Sequence, residues 1–128
     1  MTGTQELIID VPSSEWLSAN GRTHWAEKAR RTRALRTRAA FTARNQHIQP
    51  VHVAHVTAHI QYPTTGRADP GNASTTVKAL IDGLTDAGVW EDDDHLHVIG
   101  PDYRRDTGRS QKGWHRVRLV ITEQEVEF

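Results

Sequence analysis

The residues able to do chemistry are concentrated between Arg67 and Asp94, in the stretch RADPGNASTTVKALIDGLTDAGVWEDDD. Asp69 lies in a Pro/Gly turn, Lys78 and Asp82 stand four apart in the segment that follows, and Glu91, Asp92, Asp93 and Asp94 are consecutive. Carboxylates held close together repel, and the repulsion raises their pKa values unless a cation compensates. Mg²⁺ suits such a set, because it takes oxygen ligands, commonly one or two carboxylates with water and substrate phosphate. A solvated acidic loop has the same composition, and the residue types alone leave both readings open. Lys78 and Asp82 would pair on a helix surface, but base before acid is the less favourable order. A lysine so placed has reason to meet a phosphate instead.

A second charged region has the opposite sign. From Arg22 to Arg44 the chain carries eight bases, among them Arg22, Lys28, Arg30, Arg31 and Arg33, against the single acid Glu27. From Asp82 to Asp94 there are six acids and no base. The formal net charge of zero therefore conceals a basic surface suited to a polyanion and a separate acidic site. Other metal chemistry is poorly provided for. There is no cysteine, which excludes thiolate ligands and disulfides. Of the eight histidines, His55 and His59 share a strand face but lie about 13 Å apart at about 3.3 Å per residue. His95 and His97 have a workable spacing, but no third ligand accompanies them.

These groups have to be positioned by one domain spanning residues 1–128, since the chain shows no linker, repeat or low-complexity tract. ELIIDVP reads as a first strand ended by Pro12. A loop with a tight bend at Asn20-Gly21 follows. From about Thr23 to Gln46, Trp25, Ala29, Thr32, Leu35 and Ala39 recur three or four apart and form the narrow apolar stripe of a helix whose remaining surface is arginine-rich. VHVAHVTAHIQY alternates, with Ala54, Val56, Ala58 and Ile60 on the core face. Ser74 or Thr75 can cap a second helix, in which Val77, Leu80, Ile81 and Leu84 mark the buried stripe and Gly88 ends it. HLHVIG reads as a short strand with Leu96 and Val98 inward, residues 100–113 as an exposed connection, and WHRVRLVITE as the last strand. Trp25 and Trp114 are expected to anchor the core or a dimer interface.

The order is β-α-β-α-β-β and the class α+β: two helices packed on a small mixed or antiparallel sheet. The second helix is about 20 Å long at about 1.5 Å per residue, so Asp69 and Asp93 meet only if the chain folds back. No apolar run reaches membrane-spanning length. The first residues lack the basic and apolar regions of a signal peptide, so a cytoplasmic location is expected.

The pattern DPGN, Lys78, Asp82, then AGVWEDD resembles the signature of the RusA-type Holliday-junction resolvases, small dimeric endonucleases common in phages and prophages. Asp69 matches the first aspartate of that signature, Asn72 its asparagine, Lys78 its lysine and Asp82 its helix aspartate, while Asp92 and Asp93 match its closing pair. SANGRTHWAEKARRTRALR is similar to the Asn-Arg-x-x-His-Trp entry into the family's basic helix. The resemblance implies a RusA-like fold, a homodimer and Mg²⁺-dependent cleavage of four-way DNA junctions in recombination and repair, with Mn²⁺ as a possible substitute. It further implies metal binding by Asp69, Asp92 and Asp93 and a role for Lys78 at the scissile phosphate. The basic helix, with Arg22, Lys28, Arg30, Arg31 and Arg33, would meet the DNA backbone. Gly71 stands where the signature has a second aspartate. Asp94 is the acid that could replace it, and the alternative is a catalytically weakened or silent DNA-binding relative.

Overall fold

The computed structural model describes residues 3–124. The elements are β1 (Thr4–Pro12), α1 (Trp25–Asn45), β2 (Ala54–Gln61), α2 (Ser74–Asp86), β3 (Val98–Arg105) and β4 (Trp114–Glu123), with a one-turn 3-10 helix over Pro70–Ala73 leading into α2. They form an α+β fold with a four-stranded mixed sheet in the order β1-β4-β2-β3. β4 runs antiparallel to both its neighbours, β1 and β2, while β3 is parallel to β2 across the α2 crossover.

Alternation decides which sheet face is buried. Leu7, Ile9 and Val11 of β1, Val56, Ala58 and Ile60 of β2, and Val117, Leu119 and Ile121 of β4 are all fully buried. Against them lies the stripe Val77, Leu80, Ile81 and Leu84 of α2. The other helix contributes Leu35, Ala39 and Ala43 to the same core. Small residues there bring the two helices close together. A Cβ built on Gly83 of α2 would lie 2.8 Å from Ala39 Cβ, and nearer still to the Arg36 carbonyl oxygen. The opposite sheet face is open and laced with ion pairs, including a two-bond fork from Arg116 to Asp10 and one from Arg118 to Asp106.

Several local expectations are corrected. The third strand begins at Val98 and continues to Arg105, so it takes up residues that read as a connection. Pro101 interrupts the strand signal, but an edge strand tolerates a missing donor. The β2–β3 register also shifts at an irregularity on β3, where Gly100 and Pro101 stand against Val56 alone and Gly100 adopts a φ of +96°. Leu96 precedes the strand and is exposed. Trp25 begins α1 and is 77% exposed, so it does not belong to the core stripe. Neither Ser74 nor Thr75 caps α2. Its N-cap is Ala73 with no side-chain bond, and Asp69 caps the 3-10 turn instead, accepting from the Gly71 N–H at 2.9 Å. Gly88, with a φ of +81°, follows the end of α2 as its apolar stripe implied.

Candidate functional site

α2 presents Lys78 and Asp82 one turn apart on its exposed flank, and the Lys78 ammonium donates to the Asp82 carboxylate at 2.8 Å. The same ammonium donates to Asp93, 15 residues further along the chain, at 2.5 Å. Asp93 arrives there because the chain reverses after Gly88. The reversal is pinned by Trp90, which is buried and whose indole N–H donates to Thr85 Oγ1 at 2.8 Å. The Val51 N–H, donating to the Val89 carbonyl at 2.7 Å, ties the same segment to the entry of β2.

The two carboxylates differ in electrostatic role. Burial and the adjacent Asp93 carboxylate push Asp82 above the ordinary aspartate value. Hydrogen bonds from Asp82 and Lys78 hold Asp93 down at about 2. Asp82 is thus the member that takes a proton first, and Asp93 is the persistent anion. Lys78 is raised by its bonds to both and stays an ammonium. Two carboxylates converging on one cation form a donor set of the kind Mg²⁺ accepts, with the rest of its shell left to water and substrate. Asp82 and Asp93 are the two carboxylates that meet at one cation here, the Lys78 ammonium.

The other acids are placed differently. The Asp69 carboxylate is engaged by its own turn, at the Gly71 N–H. Asp92 accepts from the Asp93 N–H at 2.8 Å. Asp94 accepts from the Leu96 N–H and bonds His97 Nδ1 at 2.6 Å, so it shapes the loop without joining Lys78. That bond raises the His97 pKa, with Glu91 and Asp92 adding to the effect, and lowers that of Asp94. The Asn72 carbonyl accepts from the Ala19 N–H at 2.7 Å. A reciprocal pair of bonds between Thr76 Oγ1 and the Leu17 backbone, each 2.8 Å, clamps the same loop to α2. Asp82, expected only in support, is therefore central. Among the described residues no group of three metal-ligating side chains is gathered.

A pocket of about 470 Å³ opens beside this cluster, lined by Lys78, Asp82, Lys28, Thr32, Ser74 and Tyr103 among others. It brings a lysine of the basic helix to the acidic site. Tyr103 was not legible as a lining residue, because its strand reads as loop in the sequence. The basic helix itself is partly neutralised. Arg30 and Arg31 both bond Glu27, which is held down at about 2 by them, and Arg31 also donates to the Trp16 carbonyl. Arg36 pairs with Asp86 and Arg38 with Glu15. Among the described residues, Arg22, Lys28 and Arg33 have no acid at ion-pair distance. No helix there is long and apolar enough to cross a membrane.

No family model matches the chain, and no curated protein matches it.

Proposed function

We propose that this chain is a metal-dependent, structure-selective endodeoxyribonuclease of the RusA type, cutting four-way or otherwise branched DNA. The observation that carries the reading is the Lys78–Asp82–Asp93 cluster at the lip of a pocket that Lys28 of the basic helix also lines. A polyanionic backbone lying along the basic helix would thereby be led to the acidic site. Asp82 and Asp93 would hold Mg²⁺ or Mn²⁺, which when bound activates water and neutralises charge building on phosphate oxygens. Lys78, kept protonated by its carboxylate partners, would turn from them to a phosphate oxygen and stabilise the charge there. Lys28 supplies a second ammonium on the same pocket. Arg22, unpaired among the described residues, would contact the backbone beside the pocket, with Arg30 and Arg31 exchanging Glu27 for phosphate, while Arg33, likewise unpaired there, faces another flank of the helix and would meet a separate stretch of the DNA. Such contacts make binding salt-dependent and indifferent to sequence. A two-fold symmetric junction needs two cuts, so the proposal includes a homodimer.

The test is cleavage of a synthetic four-way junction with and without Mg²⁺. Asp93→Asn keeps the side chain's size and removes its charge. It should abolish cleavage and leave junction affinity unchanged or slightly higher. Cleavage that survives the substitution refutes the assignment of Asp93. One observation favours a second reading, that of a DNA-binding relative without a working site. Gly71 lacks the carboxylate of the signature, and its N–H holds the Asp69 carboxylate in a local turn. Tight, salt-sensitive junction binding with no cleavage under Mg²⁺ or Mn²⁺ would select that reading.

A further inference from the structure

A separate groove of about 1070 Å³ runs along another flank of α1, between that helix and the open sheet face. It exceeds the range of about 300–1000 Å³ usual for small-ligand clefts. Its helix wall carries Arg33, Arg38 and Phe41, and its opposite wall carries Arg109, Trp114 and Arg116. Phe41 is 68% exposed although it lies near the C-terminal end of a helix whose other flank supplies the core. Among the described residues nothing packs over a large ring at that position.

The charges around the ring are of two kinds. Arg38 is held by Glu15 through two bonds of 2.9 Å, and Arg116 by Asp10. For Arg33 and Arg109, among the described residues, no acid lies at ion-pair distance. The groove therefore presents two guanidinium groups without an acid partner among the described residues, around an exposed aromatic ring, with Trp114 on the facing wall beneath the Arg38 guanidinium at 6.0 Å. Such a pairing recognises a ligand that offers flat rings and regularly spaced anions together. An acidic peptide supplies the anions without the rings. A duplex keeps its bases stacked inside and would leave Phe41 unused. A second copy would have to bring acids to Arg33 and Arg109, and the groove's own acid, Asp10, is already held by Arg116. Single strands meet both requirements, since every base has a face to stack and every link a phosphate.

We propose that this groove binds an unpaired strand of DNA, with bases against Phe41 and Trp114 and backbone phosphates on Arg33 and Arg109. The proposal rests on the reading of the chain as acting on branched DNA, because an opened branch point is what supplies such a strand. It requires no catalysis, and it gives the arginine helix two working flanks: one toward Lys78 and the other toward the displaced strand.

The experiment is fluorescence anisotropy of a labelled oligothymidine, without metal and across a salt series, with the full chain. Phe41→Ala should weaken binding about 10-fold, the loss of one stacking contact. Arg109→Ala should weaken it and flatten the salt slope by about 0.7, the share of one single-strand phosphate contact. Both residues are exposed, so neither change threatens folding, and Asp93→Asn should leave oligothymidine affinity unchanged. If the wild type binds junctions but not oligothymidine, the groove assignment is overturned while the nuclease reading stands. If oligothymidine binds through Phe41 and no junction is ever cut, the groove stands and the nuclease reading falls. Polyglutamate competing as well as oligothymidine would overturn the stacking role. So would a Phe41→Ala protein that changes from dimer to monomer in sedimentation with its oligonucleotide affinity intact, because it would identify a contact between copies.

Discussion

Gly83→Ala tests the helix crossing on which the pocket beside Lys78 depends. A methyl at that position would sit 2.8 Å from Ala39 Cβ and nearer to the Arg36 carbonyl, both on the facing helix. Carbon atoms pack at about 3.5–4.0 Å, so the helices must part by roughly half an ångström or more. Overpacking of this kind costs about 1–3 kcal/mol. The upper part of that range applies, because a helix carbonyl already committed to its own ladder cannot swing aside. Replacing glycine inside a helix returns about 1 kcal/mol of propensity. The net loss is about 2 kcal/mol, which for a domain of this size lowers the melting temperature by roughly 8 °C. Thermal melts followed by far-ultraviolet circular dichroism, with urea unfolding as a second measure, read it directly. The same separation draws Lys28 away from Lys78, so junction cleavage at 25 °C should also fall. A Gly83→Ala protein that melts at or above the wild-type temperature would show that the helices do not meet as closely as described.

Three further outcomes follow from the charged groups. Asp93 is depressed from 3.8 to about 2, worth roughly 2 kcal/mol in full, and exposure of its Lys78 partner reduces this to about 1 kcal/mol. An acid depressed on folding stabilises above its unfolded pKa. Asp93→Asn should therefore cost about 1 kcal/mol at pH 7 in urea unfolding, and the difference from wild type should vanish as pH falls from about 4 to about 2. Because Asp94 raises the His97 pKa, any stability from that contact is present in acid and lost as pH rises through the raised value. Proton NMR should find His97 titrating above 6.5, and Asp94→Asn should bring its midpoint down. Finally, Gly71→Asp should increase Mg²⁺-dependent cleavage at unchanged junction affinity. Gly71 lies in a 3-10 turn, without positive φ, and a Cβ there would stand 3.3 Å from the Asp69 carboxylate, so the new acid would start beside that group. Cleavage unchanged by the substitution would mean that Asp69 takes no part in metal binding.

What was legible in the sequence was what local periodicity writes. The alternation of Ala54, Val56, Ala58 and Ile60, and the spacing of Val77, Leu80, Ile81 and Leu84, each predicted a buried face, and each is buried. β3 was displaced because Gly100, Pro101 and a bulge break its alternation, and because its charged residues suit an exposed edge. Trp25 fitted the helical spacing yet begins its helix, where no neighbouring element covers it. In the site, the Lys78–Asp82 contact was legible because four residues make one helical turn. The arrival of Asp93 was not, because it depends on a reversal held by Trp90 on Thr85 and by Val51 on Val89. Asp94 was the acid that could have stood in for the missing aspartate, but a histidine three residues away claims it.

The strand order has a consequence for how the protein comes into being. β4, the last strand described, lies between β1 and β2, and Thr4 of the first strand is registered with Thr122. Until β4 is present, β1 has no partner in the sheet, and Leu7, Ile9 and Val11 have no layer to complete. On a ribosome, where the chain emerges from its N-terminus at about 5–20 residues per second, the basic helix and α2 are exposed long before the strand that unites them. Completion of the sheet therefore waits until β4 has been made, and a message cut short before Trp114 yields a chain in which β1 has no strand to pair with and only β2 and β3 remain neighbours.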